Sequence, residues 1–334
     1  MNIGRWALVE TLGPVGTWSL VWAGTTPKSW KSFDRAIPAR LRPIVESAHA
    51  CGAVVDRTLP RSRHAWSEQS ARAVPVTGPD GRVHAVKLWV GGVAAPEPGV
   101  APFRVDTRDR LLETLPRALG PDFERFRTRW FGAEPFESIE RFDGALEFIA
   151  LMARSEPGSR WLGTATVRTA AGLRSLLLVA RNADADRADW RGVAVDVTDS
   201  VPPQRKTFEA STIDLLRRTT PDLYLAIVDI AQVRLIRWVS EPVPGLLWSG
   251  GIDERTLPHP ADRARILDAR TAIRDGAGAH ALPAVRFATE SGAWMTADVE
   301  ISPLPGGTPG AQIPEFALVQ LTVLRDPASH ESNA

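Results

Sequence analysis

The histidines and the cysteine of this sequence do not have the spacing of a metal site. The six histidines include no pair four residues apart and no acidic partner at metal-ligand spacing; they occupy positions 49, 64, 84, 259, 280 and 330. The single cysteine, Cys51, excludes an internal disulfide and a cysteine-based zinc site. We therefore expect no metal site.

Three short motifs resemble those of functional sites, but each departs from the required pattern. Residues 276–281, GAGAHA, spell a dinucleotide-binding fingerprint, but they follow a predicted helix and precede a strand, the reverse of the required order. Residues 247–251, LWSGG, lack the first glycine of a nucleophile elbow. Asp184, Asp186 and Asp189 lack the central glycine and closing glutamate of a calcium loop. We assign no catalytic residue to any of them.

The tryptophans carry more information, because six of the 12 lie in the first 98 residues, at positions 6, 18, 22, 30, 66 and 89. Trp18, Leu20 and Trp22 alternate along a predicted strand and should share one face of it. Tryptophan clusters form cores, interfaces or apolar ligand pockets, and a core is the default. Trp18, Trp22 and Trp89 are our candidate ligand-binding residues, for a small apolar ligand.

The composition is that of a globular protein, with 44% hydrophobic and 24% charged residues. The 40 Lys and Arg residues against 39 Asp and Glu leave a net charge of +1, so we expect no nucleic-acid or anionic-membrane partner. No apolar run approaches the length that spans a bilayer, and the N-terminus does not have the pattern of a signal peptide. We expect a cytoplasmic protein.

The 334 residues suffice for two or three domains, and a helix followed by a hairpin is predicted three times, at a spacing near 100 residues. A strand pair, a helix and a hairpin that turns at residues 78–81, GPDG, are predicted within residues 5–90. A Gly- and Pro-rich linker follows at 91–102. A mostly helical stretch at 107–154 precedes three strands that end near 197. A second linker at 201–203 leads to a helix at 205–218, two strands, a further helix, a hairpin and a last strand at 316–324.

The clearest local signals lie between residues 253 and 301. His259 and Pro260 fit the N-cap and first position of a helix that runs to about Asp275, with Gly276 just past its end. The period then changes to two, which predicts a strand with one buried face formed by Met295, Ala297, Val299 and Ile301.

This segment resembles the C-terminal half of a PAS domain, in the HPADR that opens the helix and the GAWMTADVEISPL of the hairpin. WRGVAVDVTDS, at 190–200, resembles a PAS closing strand, and a GAF domain would give much the same pattern. The whole order is similar to a mycobacterial family of three-sensor-domain proteins of unassigned activity. The resemblance implies an α+β fold of three tandem PAS/GAF-like domains, each an antiparallel sheet flanked by helices, at 1–95, 101–200 and 205–327.

The resemblance also raises the question of a prosthetic group. His280 stands where a PAS domain could offer a haem ligand, but a loop histidine is far more often solvated. Cys51 lacks the Asn-Cys-Arg setting of a flavin-adduct photosensor. We expect no cofactor, and a haem or flavin absorbance spectrum of the purified protein would contradict this expectation.

Two hypotheses about function follow. In the first, the protein is a non-catalytic sensor or scaffold that binds a small molecule or a partner protein. In the second, it is an enzyme that uses one of the sensor-domain pockets for hydrolysis or group transfer. Phe208, Leu215 and Leu216 form an apolar stripe on the helix at 205–218, which suits packing within its own domain or against a second copy in a homodimer.

Overall fold

The computed structural model describes residues 4–61, 67–182, 189–207, 211–212, 215, 220, 222–308 and 310–324. The chain forms two compact units. Unit 1 comprises Met1–Trp130 and Ser138–Arg205, and unit 2 comprises Phe131–Glu137 and Lys206–Ala334. The division into domains at 1–95, 101–200 and 205–327 stays a prediction.

The first sheet of unit 1 has six strands in the order β3-β2-β1-β6-β5-β4, all neighbours being antiparallel. The strands are β1 (Ala7–Glu10), β2 (Ser19–Ala23), β3 (Thr26–Ser32), β4 (Val55–Thr58), β5 (Ser70–Thr77) and β6 (Val83–Gly91). Helices α1 (Phe33–Ala36) and α2 (Arg42–Cys51) cover one face of it. Helix α2 ends where Gly52, at a φ of 63°, donates its N–H to the carbonyl of Ala48.

The second sheet of unit 1 has seven strands in the order β10-β11-β12-β13-β7-β8-β9. They are β7 (Val100–Asp106), β8 (Leu111–Thr114), β9 (Arg129–Phe131), β10 (Ile139–Arg141), β11 (Arg160–Thr169), β12 (Gly172–Asn182) and β13 (Asp189–Asp196). Helix α3 (Ala145–Arg154) precedes the long β11-β12 hairpin. The last residue of β9, Phe131, is counted with unit 2.

The two sheets of unit 1 share an apolar core. Trp22, Trp89 and Leu8 of the first sheet belong to the same buried cluster as Leu177 and Val193 of the second. Strands β1, β2, β5 and β6 therefore contribute residues both to this shared core and to the opposite face of the first sheet, where α1 and α2 complete a separate core.

Unit 2 contains a five-stranded antiparallel sheet in the order β15-β14-β18-β17-β16. The strands are β14 (Leu223–Asp229), β15 (Arg234–Trp238), β16 (His280–Ala288), β17 (Trp294–Leu304) and β18 (Phe316–Val323). Helix α4 (Pro260–Arg274) begins as predicted, because Nδ1 of His259 accepts a hydrogen bond from the N–H of Ala261 at 3.2 Å. On β17 Ala297 and Val299 are buried, which confirms the predicted inner face.

Unit 2 also includes the segment Phe131–Glu137, which we call the strap. Ala133 of the strap is buried in one cluster with Leu235 of β15. The buried carboxylate of Glu134 accepts hydrogen bonds from the N–H of Phe131 at 2.9 Å and from the N–H of Gly250 at 2.7 Å. The strap thus completes part of the core of unit 2.

All three sheets share one strand order once the added edge strands β3, β9 and β10 are set aside. When the five remaining strands of each sheet are numbered by their order in the sequence, their order across the sheet is second, first, fifth, fourth, third. Along the sequence, a helix lies between the second strand and the hairpin formed by the fourth and fifth strands. The predicted repeat of a helix followed by a hairpin is confirmed, with α2, α3 and α4 as its three helices. The fold is α+β and dominated by antiparallel sheets.

Two further helical stretches were predicted, at 107–154 and at 205–218. The stretch 107–154 was expected to be mostly helical, which is wrong: α3 is its one α-helix, and β8, β9, β10 and short 3₁₀ turns fill the rest. Pro116 and Pro121 each open a 3₁₀ turn, since proline suits a first turn but cannot continue a helix. In the helix predicted at 205–218, Phe208 and Leu216 lie outside the described residues, whereas Leu215 is 61% exposed.

None of the helices in the described part of the chain is both long and apolar enough to cross a membrane.

Candidate functional site

The three tryptophans predicted to bind a ligand do not line one pocket. Trp18 is 2% exposed and lies in the core beneath α1 and α2, where its indole N–H donates to the carbonyl of Gly13 at 2.7 Å. Trp22 and Trp89 are buried in the core between the two sheets. A ligand-binding role for Trp18, Trp22 and Trp89 stays a prediction. In the structure, these three side chains are buried in two separate cores.

A β-bulge separates Trp22 from Trp18. On β1, Leu8 pairs with Trp22 and the next residue pairs with Leu20, so Val21 is an extra residue in β2. An extra residue shifts the following side chains to the other face of a strand. The predicted shared face is therefore wrong for Trp22, although Trp18 and Leu20 do lie in the same core.

A cavity of about 820 Å³ lies elsewhere, at the β3 edge of the first sheet. Strands β2 and β3, the start of β1 and helix α1 form its walls. We call it the cationic cavity, because four cations and two indoles lie on its wall: Arg5, Lys28, Lys31, Arg35, Trp6 and Trp30. No carboxylate or histidine stands among the described residues that line it.

The irregular edge strand β3 carries three of these residues, Lys28, Trp30 and Lys31. Pro27 of β3 pairs with β2, and so does Lys31, but the three residues between them face the single residue Val21. The bulge contains Lys28 and also Trp30, whose φ of 42° is an outlier for a bulky side chain. Strained backbone of this kind persists where the surrounding structure holds it, and it concentrates at ligand sites.

The positions of the neighbouring charges leave the cavity cationic. The side chain of Arg5 lies over Gly24, where an added Cβ would come within 2.9 Å of Arg5 Cδ, so this close approach favours glycine. The carboxylate of Asp34, on α1, pairs with Arg42 at 3.3 Å. Beside the cavity, the guanidinium of Arg160 lies 5.0 Å from the ring centre of Trp30.

A second cluster of charged residues links the turn between β5 and β6 to strand β13. The imidazole of His84 is fully buried, with Nδ1 3.0 Å from the carbonyl oxygen of Gly192 and Nε2 3.0 Å from Oδ1 of Asp80. Arg191 donates to the other oxygen of Asp80 at 2.7 Å. Burial raises the pKa of the Asp80 carboxyl, but the hydrogen bonds from His84 and Arg191 outweigh it and hold that pKa well below its usual range.

This ionic network extends further across the second sheet. Arg191 also pairs with Asp189, and Asp189 accepts a hydrogen bond from Nε of Arg104 at 2.7 Å. Glu113 lies 3.4 Å from the same guanidinium. Each ring nitrogen of His84 faces one acceptor, and each arginine of the network lies beside a carboxylate. We interpret the network as a structural link between the sheets.

The sequence predictions missed both regions. A turn was predicted from the Gly and Pro residues around Asp80, but the spacing of four residues between Asp80 and His84 was not used. Lys28 and Lys31 are two of only four lysines in a chain rich in arginine, and this local signal could have marked the cationic cavity. No group of three potential metal ligands occurs within the described part of the molecule.

Comparison with protein families matches both ends of the chain. The model described as Rv3651-like, N-terminal, matches residues 5–99, and the model described as Rv3651-like, C-terminal domain, matches residues 209–305. No curated protein sequence matches the chain.

Solved structures that resemble the chain include one that is similar over nearly the whole length. A crystal structure of an uncharacterized protein from Mycobacterium tuberculosis aligns with a TM-score of 0.71 at 21% identity, over 97% of each chain. The PAS-B domain of Drosophila melanogaster Cycle with bound ethylene glycol aligns with a TM-score of 0.27 at 11% identity, over 30% of this chain and 99% of that domain. An RNA-binding light-oxygen-voltage receptor gives 0.24 at 14% identity, over 66% and 94%. At such TM-scores the last two similarities do not define the fold.

Proposed function

The chain belongs to the Rv3651-like family, and we propose that it works as a non-catalytic sensor or scaffold built from PAS-like modules. The repeated strand order supports this proposal, since each sheet combines a strand pair, a helix and a hairpin as expected from the resemblance to PAS domains. Such modules respond to a small molecule or to a partner protein. We further propose a cytoplasmic location, which the single cysteine supports.

The observation that carries the proposal is the cationic cavity. Its volume of about 820 Å³ suits a small organic molecule, since ligand pockets commonly measure roughly 300–1,000 Å³. The bulge in β3 and the strained backbone of Trp30 belong to its wall. Because both irregularities lie on the wall of the cavity, they support selection for binding at this edge.

The alternative of an enzyme receives less support from the same cavity. Hydrolysis or group transfer needs a nucleophile beside a general base within hydrogen-bond reach. Thr26 and Ser32 line the cavity, but no imidazole or carboxylate stands beside them among its described lining residues. The polar groups present can hold a ligand, which favours sensing or docking over catalysis.

A ligand screen with a blocked cavity tests the proposed function. We expect members of a chemically diverse library of small molecules to raise the melting temperature of the full-length protein, because a ligand that binds only the folded state stabilises it. Ala36 lines the cavity, so Ala36→Trp should abolish these shifts. Ala53→Trp, at an exposed position after α2, should preserve them. A library without hits, or hits that survive Ala36→Trp, would overturn the proposal.

A further inference from the structure

The cationic cavity also indicates which class of molecule it takes. Building on the proposed function, we propose that its ligand is an organic anion in which an acidic group, such as a phosphate or a carboxylate, is attached to a planar apolar ring. The acidic group would lie among the four cations and the ring against the indoles.

The charge of the wall is the first part of the argument. Arg5, Lys28, Lys31 and Arg35 contribute four positive charges, and none of them forms an ion pair with a described carboxylate. A concave surface of one sign focuses its field and attracts a ligand of the opposite sign. Two arginine forks and two lysine ammonium groups are donors that match phosphate and carboxylate oxygens.

The aromatic residues are the second part. Trp6 and Trp30 line the same cavity as the cations, and the backbone of Trp30 is held in the left-handed region. The guanidinium of Arg160 lies against the Trp30 ring and restricts its orientation. An indole held in this way is suited to stack on a planar ring.

Simpler ligands fit the cavity less well. A neutral apolar molecule would remove water from four cations without offering them an acceptor, which is costly. Inorganic phosphate would neutralise the charge but leave much of the 820 Å³ and both indoles without contact. A ligand that combines the two features satisfies both parts of the wall.

Isothermal titration calorimetry with three related probes tests the proposal on the full chain. We expect 1-naphthyl phosphate to bind at least tenfold more tightly than either 1-naphthol or inorganic phosphate, and more weakly as sodium chloride is raised, because the charges are then screened. In the variant Lys28→Ala with Lys31→Ala, its affinity should fall at least tenfold. In Trp30→Leu, it should fall toward that of inorganic phosphate.

A matched control removes two exposed cations from the opposite end of the same domain. Arg57→Ala with Arg61→Ala changes net charge equally and should leave the affinity unchanged. Equal binding of 1-naphthol and 1-naphthyl phosphate, or equal losses in the two double variants, would overturn the anion proposal. Neutral ligands whose binding is blocked by Ala36→Trp would overturn it while leaving the proposed sensor function intact. If nothing binds in the cavity, both proposals fail.

Discussion

Unit 1 contains two clusters of basic side chains with opposite surroundings. In the ionic network, the basic groups of His84, Arg191 and Arg104 each face a carboxylate, within a buried link between two sheets. In the cationic cavity, no described carboxylate pairs with the four basic groups, which lie on the wall of an open space. Basic side chains thus have carboxylate partners in the ionic network and no described carboxylate partner in the cationic cavity.

This difference distinguishes charged groups that stabilise the fold from charged groups that are available to bind a ligand. A buried charge that lacks a partner is costly, so a fold that buries cations supplies acids beside them, as Asp80 and Asp189 show. Cations that line an open cavity stay accessible to water and need no partner for folding. Deleting charges should therefore damage stability in the network and spare it in the cavity.

The largest effect is expected at Asp80. Asp80→Ala leaves His84 and Arg191 buried without this acceptor and should lower the free energy of unfolding of unit 1 by about 3–5 kcal/mol. Urea denaturation, with hydrogen exchange on peptides from β5 and β13, measures the loss. Asp56→Ala is the matched control, because Asp56 pairs with Arg72 at an exposed position and should cost at most about 1 kcal/mol. Equal losses in the two variants would break the comparison.

A smaller effect, on pH dependence, is expected in unit 2. The buried carboxylate of Asp262 accepts hydrogen bonds from the side chain and N–H of Arg286, which lower its pKa from 3.8 to about 2. Because the pKa of this carboxyl is lower in the folded state than in the unfolded state, the ionised carboxylate stabilises the fold at pH values above the unfolded-state pKa. This stabilisation, about 2 kcal/mol, should be lost as pH falls from about 4 to 2.

Acid titration of unfolding, followed by hydrogen exchange in α4 and β16, tests this dependence on pH. Asp262→Asn should reduce the fall in the free energy of unfolding at acid pH, which we call the acid limb. Asp253, in an exposed pair with Arg255, provides the control, and Asp253→Asn should leave the limb nearly unchanged. An acid limb that survives Asp262→Asn would show that another group controls it.

The smallest effect is expected in the cationic cavity. Lys28→Ala with Lys31→Ala removes two like charges that have no acidic partner among the described residues, so the free energy of unfolding should change by less than about 0.5 kcal/mol. Urea denaturation under the conditions used for Asp80→Ala gives the direct comparison. A loss as large as that of Asp80→Ala would mean that the lysines support the fold, and the contrast between the two clusters would disappear.

Local features of the fold could be predicted from the sequence. The start of α4 at His259 and Pro260 depends on neighbouring residues alone, and the inner face of β17 follows from alternation. The turn at Asp80 was predicted for the same reason. In each case the residues that determine the structure lie within a few positions of one another.

The site depends on contacts that the sequence does not display. The bulge at Val21 is a matter of register between strands, and it reverses the predicted face of Trp22. The left-handed backbone of Trp30 belongs to the second bulge, in β3. His84 meets the carbonyl of Gly192 across 108 residues of chain. Pairing between distant strands, rather than local propensity, brings these groups together.

The strap gives the chain an unusual order of assembly. Glu134 accepts a hydrogen bond from the N–H of Gly250, which lies 116 residues further along the chain. The intervening sequence includes Ser138–Arg205, all of which belongs to unit 1. During synthesis, therefore, the strap leaves the ribosome well before its own partners exist, and closing so long a loop adds an entropic cost. We expect unit 2 to acquire its native core late and slowly, because contacts of high sequence separation form slowly.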